Sequence, residues 1–385
     1  MIYPAAPTVL NECRILKCDV SHRPDDKYAL TCFFKWNSAD RGRIPQTKRR
    51  RPINLEAQLM TVPKVSVLLP MYNVEPYIEA CLVSLLAQTS NQFEIIAVDD
   101  RSPDRSGAIA RRILEAQDKV AWKLVTNEQN QGLAESRRIA VEHARGDYVL
   151  CVDSDDYVKP NLIERVIEEA EKHDADVVMF AATNVLADGT VNYQIDCDDK
   201  VITGVEAVEG IMDLKLQAYC WNKLVRRSIF ADVHHPSGLI YEDICVSVQT
   251  LGRSKVVRLI PDRLYFYVFR DTGISTRFNP KILDLFSIMD LVEKTTASMP
   301  IRNRSVRLFR LKYIWGFRTV AFQVAMRAPT YQSALPFLRI VSERLHPQHL
   351  YRMYADSRPK LTFAMCLLKI HPRIFYSFVR RFSER

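Results

Sequence analysis

Between residues 65 and 181 the chain alternates short apolar runs with amphipathic stretches, a rhythm that predicts strands followed by helices. Unbroken runs of Val, Ile and Leu are typical of parallel strands that are covered on both faces. The runs predict strands over residues 65–70, 93–99, 121–126, 148–153 and 176–181. The stretches between them predict helices over residues 76–88, 106–117, 132–144 and 160–173. We therefore expect an α/β fold with a mostly parallel, Rossmann-like sheet flanked by helices.

The rhythm ends near residue 182, and the chain divides into three regions. Residues 1–59 show little periodicity, so we expect an N-terminal extension that is disordered or that precedes a true start at Met60. Residues 60–280 hold the α/β pattern, with further strand-like runs at 256–260 and 265–269. Residues 281–385 have the pattern of helices rich in Arg and aromatic residues.

The composition describes a globular chain. Its 385 residues are 48% hydrophobic, which is enough to bury a sizeable core. The nine cysteines follow neither a CxxC nor a Cys/His spacing, which argues against a disulfide framework or a structural zinc site and favours a reducing compartment. We expect neither a signal peptide nor a membrane-spanning helix, because no apolar run reaches the length of about 18 residues that a span needs.

The net charge of +9 is unevenly distributed. Residues 301–385 carry 17 Lys and Arg against 3 Asp and Glu, whereas the middle of the chain is acidic. Basic amphipathic helices of this kind can lie on an anionic membrane surface. The apolar residues between the charges favour a lipid interface over nucleic acid, so we expect no nucleic-acid partner. A helical subdomain with a solvated basic face is the alternative.

Polar clusters follow three of the predicted strands, where a parallel sheet binds its ligands. Tyr72–Asn73 follow the first strand, Asp99–Asp100 the second, and Asp153, Asp155 and Asp156 the fourth. Crowded carboxylates repel one another unless a cation or hydrogen bonds neutralise them, and oxygen ligands suit Mg²⁺ or Mn²⁺. A solvated acidic turn that caps the next helix is the other interpretation of the third cluster.

Four ordered motifs resemble those of inverting glycosyltransferases of family 2, which have the GT-A fold. The motifs are VSVLLPMYNVEPYIEACLVSLLAQT, FEIIAVDDRSPDRS, NQGLAESRRIAVEHARGDYVLCVDSDD and GLIYED, within residues 65–278. No GxGxxG, GxxxxGK[ST] or GxSxG pattern occurs, which argues against dinucleotide-binding and P-loop proteins. A phospho-receiver module would need an acidic pair after its first strand, where this chain has MYN.

The resemblance implies a nucleotide pocket for a UDP-sugar. Its implied members are Pro70, Tyr72, Asn73, Glu75, Asp100, Arg137 and Asp153. Asp100 corresponds to the residue that accepts a hydrogen bond from uracil N3, and Arg137 to the arginine of the family's AARN motif. Two alternatives stay open: Tyr72 can be a packing residue, and Arg138, which replaces the usual Asn, can be the arginine that faces the site.

The resemblance also implies the metal and the catalytic groups. Asp153–Ser154–Asp155 corresponds to the DXD motif, with Asp155 as the metal ligand and Asp153 at the metal or ribose. Asp243 corresponds to the base that deprotonates the acceptor, beside Glu242. Charges in a first helical turn also simply suit the helix dipole. Contacts to diphosphate or acceptor are implied for Trp221, Lys223 and Arg270, and a metal-ligand role for His234 or His235 is a weaker option.

The expected function is therefore divalent-metal-dependent transfer of a sugar from a UDP-sugar to a hydroxyl of a growing surface glycan. The acceptor is expected to be a polysaccharide or a lipid-linked oligosaccharide at the cytoplasmic face of the membrane. The alternative is a catalytically inactive, glycosyltransferase-like protein that binds a nucleotide or a glycan.

Overall fold

The computed structural model describes residues 62–270 and 277–383, so the predicted extension over residues 1–59 lies outside the described residues. Ten strands of the described part form one sheet in the order β3-β2-β1-β4-β9-β6-β10-β5, with β7 added beside β6 and β8 beside β10. The strands are β1 Val65–Met71, β2 Phe93–Asp99, β3 Ala121–Thr126, β4 Tyr148–Cys151, β5 Tyr157–Val158, β6 Val177–Val185, β7 Val191–Ile195, β8 Lys200–Ile202, β9 Lys223–Arg226 and β10 Val257–Val268.

Helices connect and cover the strands. Those of the first half are α1 Ile78–Leu86, α2 Ser106–Glu115, α3 Leu133–His143, α4 Leu162–His173, α5 Gly204–Met212, α6 Arg227–Ala231 and α7 Glu242–Arg253. Those after residue 280 are α8 Asp284–Thr295, α9 Arg304–Phe309, α10 Arg318–Arg327, α11 Tyr331–Arg344, α12 Pro347–Ala355, α13 Pro359–Ile370 and α14 Pro372–Ser383, with a π-helix at Arg310–Phe317. The expected α/β fold, followed by a helical C-terminal region, is confirmed, but the sheet is mixed rather than mostly parallel. Strands β1 to β4 pair in parallel, as do β6 and β10, whereas β9 runs antiparallel to β4 and β6, and β5, β7 and β8 run antiparallel to their neighbours. Three of these antiparallel strands, β7, β8 and β9, follow residue 182, where the strand-helix rhythm that predicts parallel pairing ends.

The predicted strands and helices differ from the observed ones mainly at their ends. The second and third strands have the predicted bounds, whereas β4 ends at Cys151 because the chain turns at the acidic cluster. The separate strand-like runs at 256–260 and 265–269 are parts of one strand, β10, which pairs along β6 through irregular register. Helix α4 buries Leu162, Val166 and Ala170 at helical spacing, as its amphipathic pattern predicts.

The helices after residue 280 share a hydrophobic core with one face of the sheet. A single cluster of buried side chains runs from Leu68 in β1 through Val248 in α7 to Phe375 in α14. Such continuous burial stabilises both parts together. Among the described residues, none of the helices combines the length and the apolar character needed to cross a bilayer.

The register of the parallel strands brings the polar clusters to one edge. Met71 at the end of β1 pairs with Asp99 at the end of β2, and Leu68 pairs with Cys151 at the end of β4. The residues that follow these three strands therefore lie side by side, as expected for parallel strands.

Candidate active site

Arg137 is the residue that joins the parts of the site. It lies on α3, and its side chain is only 1% exposed. Its Nη2 donates to Asp153 Oδ1 at 3.0 Å, and its Nη1 donates to Glu242 Oε1 at 2.9 Å and also to Asp243. A buried guanidinium needs such partners, because an unpaired charge in the interior is strongly unfavourable. One arginine thus links the turn after β4 to the start of α7.

Arg138, the alternative arginine, points to the surface. It pairs with Glu135 and Glu142 on its own helix, and its side chain is 44% exposed. The 100° step between neighbouring helical residues separates the two arginines, so that only Arg137 reaches the strand ends.

Helix α7 begins at the site and presents two acidic side chains there. Tyr241 before it adopts a left-handed φ of 66°, which sets the direction in which the first turn leaves the loop. Glu242 and Asp243 form that turn, with side-chain exposures of 7% and 20%. Asp243 Oδ2 also accepts the backbone N–H of Cys220 at 3.3 Å, so it is held from two sides while part of it stays open.

The two neighbouring carboxyl groups differ in protonation. Burial, followed by the charge of Asp243, raises the pKa of Glu242 to about 8. Burial also acts against the ionised form of Asp243, but the charge of Arg137 and the hydrogen bonds from Glu242 and from the Cys220 amide lower its pKa below the usual value. The two shifts favour the protonated form of Glu242 and the ionised form of Asp243.

The three carboxylates of the acidic turn after β4 differ in burial and in hydrogen bonding. Asp156 is turned inward, where it accepts the Tyr265 hydroxyl at 2.9 Å and the Val268 N–H at 2.8 Å. Asp153 and Asp155 stay partly exposed, at 24% and 15%. Burial raises the pKa of Asp153 to about 6, despite the opposing charge of Arg137.

These two carboxylates suit a divalent cation whose other ligands are not protein side chains. Crowded, partly exposed oxygen donors with a raised pKa for Asp153 are the environment that a hard cation stabilises. Within residues 62–270 and 277–383, no cluster of three or more His, Cys, Asp or Glu is placed to hold a metal by protein side chains alone. A cation held by these two carboxylates would need oxygens of a ligand or of water as its other ligands.

The loop after β1 and the loop after β2 are tied together. Arg105 donates from its backbone N–H and from Nε to Glu75, at 2.9 and 2.8 Å. Asn73 has a φ of 55°, and Tyr72 beside it is 49% exposed. Pro70 is buried within β1, where it shapes the strand end. Tyr72 is therefore the open aromatic side chain of this wall, whereas Glu75 is occupied by Arg105.

The Asp100 carboxylate accepts hydrogen bonds from the segment between β3 and α3. Its carboxylate accepts Asn127 Nδ2 at 2.7 Å, the Gln131 N–H at 2.8 Å and the Gly132 N–H at 2.7 Å. These bonds fix the loop that leads into α3, and Gly132 adopts a φ of 89° there. Asp99, its neighbour, accepts the Ser102 N–H at 3.0 Å. The sequence did not indicate that Asp100 positions the helix carrying Arg137.

Trp221 and Lys223 are both almost fully buried, so they lie beneath the surface of the site. Trp221 is stacked between Tyr219 and Tyr265, with ring centroids 4.8 and 4.5 Å away. Lys223 Nζ donates to the Gln217 carbonyl at 3.0 Å and to Tyr219 O, and burial lowers the pKa of this lysine to about 8. In this conformation both side chains support the loop before β9 and are shielded from direct ligand contact.

Arg270 lies at the acidic turn. It pairs with Asp155 and lies over the ring of Tyr77, with its guanidinium carbon 5.0 Å from the centroid. His235 is buried edge-on against Phe230, at 5.2 Å, and burial lowers the pKa of its ring to about 4. His234 is exposed.

Comparisons with known proteins identify sequences and one fold to which this chain is similar. The model of the family "Glycosyl transferase family 2" matches residues 66–237. The glycosyltransferase EpsJ of Bacillus subtilis strain 168 is 34% identical over 214 residues, which are 54% of this chain and 61% of EpsJ. The glycosyltransferase GlyG of Streptococcus pneumoniae serotype 4 is 28% identical over 264 residues, which are 65% of this chain and 85% of GlyG. The chain thus spans less than two thirds of EpsJ and most of GlyG.

A solved structure shares the fold. Residues 1–349 of S. aureus TarS, crystallised in complex with UDP-GlcNAc, superimpose with a TM-score of 0.62 at 20% identity. The superposition covers 83% of this chain and 91% of that one. The matched family segment ends at residue 237, before Asp243, so the place of Asp243 in the site rests on its contacts with Arg137 and Cys220.

Proposed function

Residues 66–237 match the model of glycosyltransferase family 2, and from this match we propose that the protein is a member of that family and transfers a sugar, with inversion, from a UDP-sugar to a hydroxyl of a growing surface glycan. The acceptor proposed is a polysaccharide or a lipid-linked oligosaccharide. The binding of UDP-GlcNAc by the structural neighbour TarS supports the choice of UDP as the nucleotide.

The observation that carries the proposal is the position of Arg137 between two acidic groups with different tasks. Asp153 lies on the donor side, in the turn after β4, and Asp243 lies at the start of α7. A general base has to be ionised, partly open and firmly oriented before it can accept a proton. Asp243 meets these conditions better than Glu242, which is more deeply buried and holds a proton.

The reaction follows from these positions. The proton of the acceptor hydroxyl passes to the Asp243 carboxylate, and an oxygen lone pair of the acceptor forms a bond to the anomeric carbon. The bond from that carbon to the diphosphate breaks, and its electron pair leaves with UDP. Attack from the face opposite the leaving group inverts the anomeric configuration. The exposed ring of Tyr72 is proposed to stack on uracil, and Asn73 and Asp100 to line the nucleoside pocket.

We propose that Asp155 and Asp153 hold Mn²⁺ or Mg²⁺ together with the diphosphate. The ion supplies positive charge against the negative charge that develops on the departing UDP. Arg270, whose guanidinium pairs with Asp155, is proposed to add a bidentate contact to the diphosphate.

The C-terminal helices support peripheral membrane association at the cytoplasmic face. Large apolar side chains are exposed on α12, α13 and α14: Tyr351, Tyr354, Phe363, Ile370 and Ile374. Exposed cationic side chains alternate with them: Arg358, Lys360, Lys369 and Arg373. Apolar side chains that insert between lipids, with cations that meet anionic headgroups, form a membrane-surface site. We propose that these nine residues, named here the C-terminal surface, contact the membrane.

Nucleotide binding and turnover together test the function. Melting of the purified chain is measured with UDP, GDP, CDP and TDP, each with and without Mn²⁺, because a ligand of the folded state raises the melting temperature. UDP release is then measured with a panel of UDP-sugars. A Mn²⁺-dependent shift with UDP and release of UDP are expected. Binding without release from any donor would favour the inactive, glycan- or nucleotide-binding alternative, and no shift with UDP would overturn the proposal.

A further inference from the structure

Three cross-strand neighbours form a polar and aromatic row beyond the acidic site. Tyr193 in β7 pairs with Asn184 in β6, and Asn184 pairs with Tyr267 in β10. Residues paired in register point to the same face of a sheet. Asn184 is fully buried between the two tyrosines, and its Nδ2 donates to the Tyr267 carbonyl at 3.1 Å. Tyr193 is 46% exposed, and Tyr267 is half-buried.

Tyr219 adds a second aromatic layer to this row. Its ring stacks over Tyr267, with centroids 6.5 Å apart, and over Trp221 at 4.8 Å. The loop that carries it is held at several points: Lys223 donates to the carbonyls of Gln217 and Tyr219, and Ser247 Oγ donates to the Ala218 carbonyl at 2.7 Å. Tyr219 is half-buried. These contacts fix its orientation in the absence of a ligand.

The backbone of the same loop contacts Asp243 directly after Tyr219. The residue after Tyr219 is Cys220, whose backbone N–H donates to Asp243 Oδ2 at 3.3 Å. Burial raises the pKa of Tyr219 to about 12, so its hydroxyl is neutral at physiological pH.

From this geometry we propose that Tyr193, Tyr219 and Tyr267 form an aromatic platform that stacks a pyranose ring of the acceptor glycan beside Asp243. The inference rests on the proposed function and adds the substrate class of its acceptor side. One face of a pyranose presents C–H groups that pack on the negative face of an aromatic ring, while its hydroxyls meet tyrosine O–H groups. The platform rings are neutral, which suits an uncharged sugar better than a phosphate.

The platform also gives Trp221 and Lys223 a task. Trp221 supports Tyr219 and Tyr267 from below, and Lys223 fixes the loop. They are positioning residues for the acceptor side, because each acts through Tyr219. Binding sites gain precision when a rigid second layer holds the residues that touch the ligand.

The test uses the full chain and four probes: the methyl β-glycosides of glucose, N-acetylglucosamine and galactose, and methyl α-mannoside. Their binding is measured by saturation-transfer NMR titration in the presence of UDP and Mn²⁺. Tyr193 is the position to change, because it is exposed and its replacement leaves the packed layer intact. We expect at least one glycoside to bind, and Tyr193→Ala to weaken it roughly fivefold to tenfold, the value of one aromatic stack. Tyr193→Phe, which keeps the ring, is expected to stay within about twofold of the wild type.

Val83→Ala is the control, since it removes an exposed apolar side chain from α1, outside the proposed platform. It is expected to leave glycoside binding unchanged. Equal binding by Tyr193→Ala and the wild type, or no glycoside bound by a wild-type protein that still binds UDP, would overturn the platform alone. Failure of the wild type to bind UDP would overturn the proposed function, and the acceptor platform with it.

Discussion

Arg137 Nη2 and Asp153 Oδ1 lie 3.0 Å apart, although they belong to a helix and to the turn after the next strand. The same guanidinium reaches the start of α7, more than 100 residues along the chain. Through this one side chain, the geometry of the donor side depends on that of the proposed base. Changes at Arg137 should therefore affect folding and function together.

Arg137→Ala is expected to destabilise the protein by about 3–5 kcal/mol, because it leaves buried carboxylates without their cation. The free energy of unfolding in urea measures this effect. Arg138→Ala is the matched control on the same helix and removes only exposed ion pairs, so we expect a change of at most about 1 kcal/mol. Equal effects of the two substitutions would contradict the central position of Arg137.

Asp243→Asn is expected to lower turnover by about 10²–10⁴-fold, the usual contribution of general-base catalysis. UDP binding, measured by calorimetry, should persist because the amide keeps the shape of the side chain. Glu242→Gln is the matched comparison: a carboxyl group that already holds a proton resembles an amide, so this variant should retain most of its turnover. If Glu242→Gln were the more damaging change, the two roles would have to be exchanged.

The contribution of Glu242 to the stability of the protein should fall as the pH rises from about 4.5 to about 8. In this window the folded chain keeps the proton on Glu242, whose pKa is raised from 4.5 to about 8, while the unfolded chain has released it. The unfolded state thus binds fewer protons, and raising the pH favours it. Glu242→Gln removes this titration. Over the window, its free energy of unfolding should fall by roughly 2–4 kcal/mol less than that of the wild type. Identical pH profiles would show that Glu242 is ionised in the folded protein.

Substitutions of two carboxylates in the acidic turn should differ in effect: one should change ligand binding and the other stability. Asp155→Ala is expected to abolish the Mn²⁺-dependent part of the UDP-induced melting shift while the protein stays folded. Asp156→Ala is expected to cost about 1–3 kcal/mol of stability, because it leaves the Tyr265 hydroxyl and the Val268 N–H without their buried acceptor. Melting temperatures with and without ligand give both quantities. A Mn²⁺ effect that survives Asp155→Ala would exclude this residue as a ligand.

The C-terminal surface should bind vesicles that contain phosphatidylglycerol and release them as salt is raised, since headgroup attraction is screened. The double variant Phe363→Ser, Ile370→Ser is expected to reduce co-sedimentation roughly tenfold or more, because each change removes an exposed apolar side chain. Val83→Ser, which alters an exposed apolar residue of α1, is the control and should bind as the wild type does. Equal binding to neutral phosphatidylcholine vesicles would argue against a role for the cations.

Local pattern was enough to predict much of the fold and the edge of the sheet where the polar strand ends gather. Unbroken apolar runs such as Phe93–Asp99 mark buried parallel strands, and polar residues at their ends mark a ligand edge, because both signals depend on neighbours in sequence. The order of the strands and the pairing of β10 along β6 could not be predicted this way, since partners far apart in the chain decide them.

What only the tertiary structure decided is which side chains meet. The sequence favoured Arg137 and left Arg138 open as an alternative, and packing of α3 against the sheet buried the first and exposed the second. It suggested Trp221 as an acceptor contact, yet stacking between Tyr219 and Tyr265 hides that ring and leaves the tyrosines as the open surface. The platform draws on β6, β7, β10 and the loop before β9, so no local pattern could indicate it. Residue type and local spacing can be read directly from the sequence, whereas burial and side-chain contacts depend on how distant elements pack together.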